Sequence, residues 1–490
     1  MQVLPSTAIV LAVLVLLLAR GPYRGLAILF AITPFGMMAA FNLPALGGLS
    51  ILATDMVVMT FVALTLLRRD VGRDIATTLT RGSLALPLLA LLLYAALATL
   101  YFPRVFAGAT EVFSLSRDAN AHGIVRVPLR PDTGNLAQLL RMSLVMAAFL
   151  CVAILVQRRP DPRALLTAMK IATGVHVGLG VIDILTNAAG LTALLEPIRT
   201  ANYALTLGHR MAGLTRMIGG FPEASAFGYY SVGFLGFWLS YWLSERGDTT
   251  ARTGGWSTGI WLALSAFVVV RSTSSSAYVG AAGFLLVFAL IQMRGGTIRL
   301  NRATGWIVLL ILASLPLVVI GGYAAYALVP GIGEFIDRSL LEKMATKSGV
   351  ERMSWNAQAL VNFLDTNMLG TGLGAVRGSN WLISTLATLG LPGTLLYLLF
   401  LWRLFTAPTG GLSPATARLV TAFKMGCLAF LMRALVVHGS ANLLDLFFIS
   451  AGAVQGLVLA AARAPVVRPG LPPGPRGAAD TRAMLRSRGA

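Results

Sequence analysis

The sequence predicts an all-α polytopic membrane protein, and three observations carry that prediction. Hydrophobic residues make up 56 % of the 490 residues and charged residues only 12 %, against roughly 25 % charged in an average soluble domain. The mean hydropathy is +0.77. The apolar residues fall in runs of about 20, the length a helix needs to cross the hydrocarbon core. A soluble chain of this size would divide into several domains of ~100 to 200 residues, and the uninterrupted apolar runs exclude that. The net charge of +20 belongs to the loops between the runs, so nucleic acid is not needed to explain it.

Taken in order, the runs predict about thirteen spans, at 3–19, 25–41, 45–67, 83–102, 134–156, 164–187, 222–243, 255–270, 276–292, 305–328, 380–402, 418–437 and 446–462. No charge precedes the first run, whereas a cleaved secretory signal begins with a basic segment; it is read as a retained helix. Alternate connections then carry the basic residues: Arg20 and Arg24, then Arg68, Arg69, Arg73 and Arg81, then Arg158, Arg159 and Arg163, then Arg246 and Arg252, then Arg294, Arg299 and Arg302, then Arg403 and Arg418. The connections near Asn42 and Asn442 carry none. Because basic loops are retained in the cytoplasm, the N-terminus is expected outside and the C-terminus inside.

The membrane domain is expected over 1–462, followed by a tail, 463–490, rich in Pro and Gly and carrying Arg468, Arg476, Arg482, Arg486 and Arg488. Such a segment cannot bury a core and is expected to lie disordered against anionic lipid headgroups. Cys151 and Cys427 both sit within apolar runs, without CxxC spacing or a neighbouring His. They imply neither a disulfide nor a metal site.

The long connections, 103–133, 188–221 and 329–379, all fall on the outer side, and long loops in a compact protein are where chemistry concentrates. The third, between spans 10 and 11, is the richest. Glu334 to Lys347 reads as an amphipathic surface helix, with Ile336, Leu340, Leu341 and Met344 opposite the charges. A second helix, Glu351 to Leu364, puts Trp355, Ala359 and Phe363 on one face and Arg352 one turn before Asn356. It stops at Asp365-Thr-Asn367, a turn composition, and Leu369-Gly-Thr-Gly-Leu-Gly374 follows, then Arg377, Ser379 and Asn380.

These residues resemble a known superfamily. Arg352-x-x-Trp355, Asp365-x-Asn-x-Leu-Gly-Thr-Gly-Leu-Gly374, Ser379-Asn380 and Leu389-Gly-Leu-Pro-Gly393 are similar to the signature of the O-antigen ligases and the O-antigen and exopolysaccharide (Wzy-type) polymerases. Arg216-Met-Ile-Gly-Gly-Phe-Pro-Glu223-Ala-Ser225 resembles a Gly-Phe-x-Glu-Pro-Ser pattern of the polymerases, with Ala224 where proline usually stands. The resemblance implies a GT-C-like glycosyltransferase of the bacterial inner membrane, acting at the periplasmic face on glycans carried by undecaprenyl diphosphate. It also implies a chain-length regulator and a flippase as partners. Ser379 stands where ligases carry a His beside the Asn, which points to a polymerase with the ligase as alternative. The superfamily's Ser-Arg-Gly motif is similar to Ser275-Ser276-Ala277, with Arg271 displaced upstream.

The chemistry agrees. A lipid diphosphate that leaves as the glycosidic bond breaks gathers negative charge, which either a metal or fixed arginines can neutralise. No Asp-x-Asp is present to hold a metal against a nucleotide sugar, so no cofactor is expected. Arg210, Arg216, Arg271, Arg352 and Arg377 lie on the outer side as diphosphate ligands, because guanidinium is always charged and binds phosphate oxygens as a fork. Glu223, following Phe221-Pro222 at the mouth of an apolar helix, is the general base expected on the acceptor hydroxyl if it is desolvated there; its bland role is to satisfy helix N-terminal amides. Asn380, Arg433 and His438 are weaker substrate contacts. Arg433 lies a turn inside its span, where a charge needs a partner, and Asp445 is the one nearest in sequence. His176 reads as packing. The Gly370 to Gly374 spacing suits a tight turn as well as a phosphate cradle. A transporter is the alternative from another class, although no internal repeat supports it.

Overall fold

The computed structural model of the chain describes residues 2–44, 49–115, 124–203, 205, 210–211, 214–246, 255–294, 328 and 347–463. The predicted span 305–328 and the helix predicted over Glu334–Lys347, each apart from its last residue, and the basic tail beyond Arg463 thus lie outside the described residues, as do His122 and His209. The fold is mostly helical: α1 (Pro5–Ile32), α2 (Ala53–Leu66), α3 (Val71–Thr78), α4 (Ala85–Val105), α5 (Thr133–Arg158), α6 (Pro162–Ala188), α7 (Ala224–Arg246), α8 (Gly255–Arg271), α9 (Ser275–Met293), α10 (Lys347–Asp365), α11 (Trp381–Thr406), α12 (Pro414–Val436) and α13 (Asp445–Arg463). Among the described residues, 8 helices are long and apolar enough to cross a membrane, against about thirteen expected. α2 and α8 are shorter apolar helices.

Two of the eight reverse direction within their length. A straight helix of 28 residues would be ~42 Å long, yet Ser6 Oγ donates to the carbonyl of Ala39 at 2.5 Å and Thr7 Oγ1 to that of Ala40 at 2.6 Å. Both ends of α1 therefore lie at one level, and the chain turns back at Gly21, whose φ of 69° is left-handed. The first arm covers most of the predicted span 3–19, whereas the predicted span 25–41 is corrected: its arm ends at Ile32, and the chain continues through a turn into a strand at Ala39–Leu43. α11 does the same at Gly390: Trp381 and Tyr397 would stand ~24 Å apart along a straight helix, but their ring centroids are 5.1 Å apart. A Cβ on Gly390 would come within 2.3 Å of the Met368 carbonyl oxygen. The predicted span 380–402 is thus a short arm, 381–389, folded back against a longer one.

The alternating arginines gather at one end of the bundle. Arg68 and Arg159 lie over the Tyr23 ring, 4.6 and 4.5 Å from its centroid. Arg158 pairs with Asp74 at 2.5 Å, and Arg403 donates to the Ser83 carbonyl at 2.8 Å. The described parts of the three long connections meet at the opposite end. The hairpin of β4 (Glu111–Leu115) and β5 (Ile124–Pro128) docks on α10, whose Asn362 and Gln358 amides donate to Thr110 Oγ1 and the Glu111 carbonyl, both at 2.8 Å. This corrects the face expected for α10. Ala359 is buried together with Gln358, Asn362 and Thr366, while Trp355 and Phe363 are only half-buried, because the hairpin offers backbone partners to carboxamides rather than an apolar surface.

A small antiparallel sheet, β1 (Gln2–Val3), β2 (Ala39–Leu43) and β3 (Leu49–Leu52), closes the loop end over α1 and α2. α7 is the most enclosed helix near the centre, packed along α12, α8 and α9. Gly233 and Gly236 let α12 approach: a Cβ on either would fall 2.2 Å from Phe430 or 2.5 Å from Ala429, the use of small residues that close helix packing in apolar surroundings requires.

Candidate functional site

The site is built on the turn that enters α7. Asp183, fully buried near the end of α6, accepts from the backbone amides of Ile218 and Gly219 at 2.8 and 3.1 Å and pairs with Arg199 at 2.5 Å. Arg199 also donates to the Gly219 carbonyl at 2.7 Å. One ion pair thereby satisfies donors and acceptors of a turn that would otherwise be buried unpaired. The turn carries Arg216 at its start and Glu223 at its end. Sequence reading placed Asp183 within a span but gave Arg199 no role, since nothing in either neighbourhood links positions so far apart.

Glu223 occupies the N-cap of α7, where its carbonyl accepts from Phe227 N at 3.1 Å and its carboxylate accepts a hydrogen bond from Ser225 Oγ. Its side chain is exposed, which corrects the expectation of a desolvated carboxylate: the apolar body of α7 begins only at Ala224, below it. Arg216 and Arg433 lie within electrostatic range of Glu223, and Arg352 is within range of both arginines. Tyr278 on α9 joins Arg216 to Arg271, whose Nη1 donates to the Thr215 carbonyl at 2.8 Å. Arg216 and Arg433 thus act on Glu223 directly, Arg352 acts on both of those arginines, and Arg271 joins the group through Tyr278. Burial pushes the Arg216 guanidinium below the usual arginine range; Glu223 opposes that shift and Arg352 adds to it. Its Nε is buried without a hydrogen-bond partner.

Arg377 has its guanidinium 5.5 Å from the ring centroid of Trp355, on the same helix as Arg352, and burial lowers its pKa as well. Among the described residues, Arg216, Arg352 and Arg377 donate no hydrogen bond and form no ion pair. Arg216 and Arg352 repel each other with their donors uncommitted, a cost that a bound anion would relieve. Arg210 in β6 (Arg210–Met211) pairs with Thr215 in β7 (Leu214–Thr215).

Three expectations are corrected. Arg433 does not pair with Asp445: it is buried, donates to the Ser225 carbonyl at 2.7 Å and to the Val437 carbonyl, and lies over Tyr229. Asp445 points instead into a separate cavity with Asp55 and Arg141, because the turn after α12 carries it past the guanidinium. Asn380 is a helix cap: its Oδ1 accepts from Leu382 N and Ile383 N at 2.9 and 3.2 Å and its Nδ2 donates to the Leu435 carbonyl. Its amide is spent on the fold. The Gly370 to Gly374 run is a packing device, since a Cβ on Gly370, Gly372 or Gly374 would meet the backbone of Gly390, Ala98 or Gly134 at 2.5, 2.8 or 2.6 Å.

His438 supports the cluster from behind. Its Nε2–H donates to the Asn442 carbonyl at 2.7 Å, its ring stacks on Tyr229 at 5.1 Å, and its backbone N–H donates to the Ser379 carbonyl at 2.9 Å. Burial lowers its pKa to about 4, so the ring stays neutral near pH 7. His176 is buried against Phe227 with centroids 4.1 Å apart and Nε2 2.8 Å from Ser231 Oγ, as a packing residue. The chain matches no protein-family model and no curated protein.

Proposed function

We propose that the chain is a polysaccharide polymerase of a bacterial inner membrane, which joins repeat units carried on undecaprenyl diphosphate by inverting glycosyl transfer that needs no metal. The gathering of Arg216, Arg352 and Arg433, from three separate segments, around the turn that bears Glu223 carries this reading. Arg216, Glu223 and Arg352, from separate stretches of sequence, share an electrostatic neighbourhood with surplus positive charge beside an accessible carboxylate.

In this mechanism the growing glycan is the donor and the terminal hydroxyl of a new lipid-linked unit is the acceptor. Glu223 takes the hydroxyl proton, steadied by Ser225 Oγ, as the oxygen attacks the anomeric carbon from the face opposite the leaving group. The bond to undecaprenyl diphosphate breaks with its electron pair moving onto the phosphate oxygen. Arg216, Arg352 and Arg377, whose donors are uncommitted, hold that charge. Arg433, already tied to two carbonyls, supplies field rather than a ligand.

The test is the glycan content of a deletion strain. Loss of a polymerase leaves single repeat units on the lipid carrier and no long chains; long chains stranded on the carrier would mean a ligase, and substrate flux in proteoliposomes without any product would mean a transporter. Topology is checked separately in a background carrying Cys151→Ala and Cys427→Ala. Glu351→Cys, at the loop end, is expected to react with an impermeant maleimide in spheroplasts with intact inner membranes, and Ala164→Cys, at the basic end, to stay unlabelled. The reverse pattern would put the arginine cluster in the cytoplasm and end this proposal.

A further inference from the structure

Behind the turn that carries Glu223 lies a cavity of about 250 Å³, room for about one sugar ring. Its polar lining is mixed. Asp55 of α2, Arg141 of α5, Tyr203, and the neighbouring Asn442 and Asp445 at the start of α13 come from four separate segments. Phe221 and Tyr230, with centroids 4.8 Å apart, supply aromatic surface. We propose that this cavity is a carbohydrate subsite that seats the terminal sugar of the acceptor, an inference that rests on the glycosyl-transfer reading above.

The groups are unevenly satisfied. Arg141 is committed, donating to the Ser50 carbonyl at 3.2 Å and to the Tyr203 hydroxyl at 2.5 Å. Asp55 accepts from Leu52 N at 2.9 Å through one oxygen. Among the described residues, no other residue donates to the Asp445 carboxylate. Asp55 and Asp445 nevertheless feel each other's charge as well as that of Arg141. Two carboxylates facing one cavity with spare acceptor capacity call for a ligand that brings several donors. A sugar does so: each hydroxyl both donates and accepts, so neighbouring hydroxyls can give protons to Asp55 and Asp445 and accept from Asn442. Its C–H faces suit the apolar part of the wall, where a few polar groups fix orientation in a mostly apolar pocket. A bare cation fits less well, because Arg141 already contributes positive charge between the carboxylates.

Position ties the cavity to the reaction. Phe221, Pro222 and Ala226 form one of its walls, while Glu223 and Ser225, within the same short stretch, belong to the arginine cluster. One short stretch of chain therefore borders both the cavity and the arginine cluster, and this shared border is what ties a sugar held in the cavity to the reacting centre.

Binding, measured without turnover, tests this. Full-length protein in nanodiscs would be titrated with a panel of methyl hexosides and methyl N-acetylhexosaminides, using saturation-transfer NMR. At least one glycoside is expected to bind saturably. Asp445→Asn and Asp55→Asn, both of unchanged shape, are expected to weaken it by roughly 10-fold or more, as loss of hydrogen bonds to a charged acceptor does. Arg352→Ala, in the other compartment, is expected to leave it unchanged. No saturable binding by any glycoside to the unmodified protein would overturn the proposal. So would binding indifferent to both carboxylate variants, or displacement of every glycoside by sodium or calcium chloride alone. Glycoside binding with these properties in a protein that makes no polymer would keep the subsite and sink the polymerase reading, so the two fail separately.

Discussion

Arg352→Ala is expected to lower polymer formation from lipid-linked repeat units by roughly 10²- to 10³-fold, the usual loss when one fixed donor to a developing anion is removed. Arg216→Ala should cost a similar factor. Neither guanidinium makes a hydrogen bond or ion pair among the described residues, so removing either breaks no polar contact of the fold and should leave gel-filtration behaviour in detergent unchanged. Lysine at either position is expected to restore activity only in part, because an ammonium keeps the charge without the bidentate fork. Glu223→Gln keeps the shape and the partner Ser225 while removing the base, and should cost about 10²- to 10⁴-fold if proton abstraction is part of the transition state. Chelators should change none of these rates. Full activity in both Arg352→Ala and Glu223→Gln, or a requirement for added divalent metal, would show the mechanism to be wrong.

Asp183→Ala is expected to have the largest effect on folding. It would strand Arg199 as a buried, uncompensated charge, for which about 3–5 kcal/mol is typical, and it would orphan the amides of Ile218 and Gly219, at about 1–3 kcal/mol each when buried donors lose their partner. Little folded protein should be recovered, with a much lowered thermal midpoint in detergent. Pairing it with Arg199→Leu removes the stranded charge and should recover part of the loss, though not the turn. A midpoint equal to that of the parent chain would mean that this ion pair does not hold the approach to α7. The same variants separate stability from chemistry: Arg352→Ala acts on turnover in a folded protein, and Asp183→Ala acts on the geometry that brings Arg216 and Glu223 together.

Much of this protein was legible in the sequence because the responsible physics is local or compositional. Apolar runs of membrane length, and arginines confined to alternate connections, require only counting along the chain, and the arginines do collect at one end of the bundle. Arg216, Glu223 and Arg352 were also readable, since they stand in short recognisable stretches, and Arg216 lies within electrostatic range of the other two. What tertiary structure alone decided is where chain direction and partner choice depend on distant segments. Gly21 and Gly390 look like unremarkable glycines in long apolar runs until antiparallel packing shows the chain reversing there. Arg433 had a sensible partner in Asp445 by sequence distance, but carbonyls from α7 and from its own helix end took that role. Asp55, Arg141 and Asp445 lie far apart along the chain and carry no shared motif; they form one cavity only because α2, α5 and α13 pack side by side. Burial is a property of the assembled bundle, and a sequence read along its length contains the charges without the surroundings that decide which of them are paired, exposed or left facing a space.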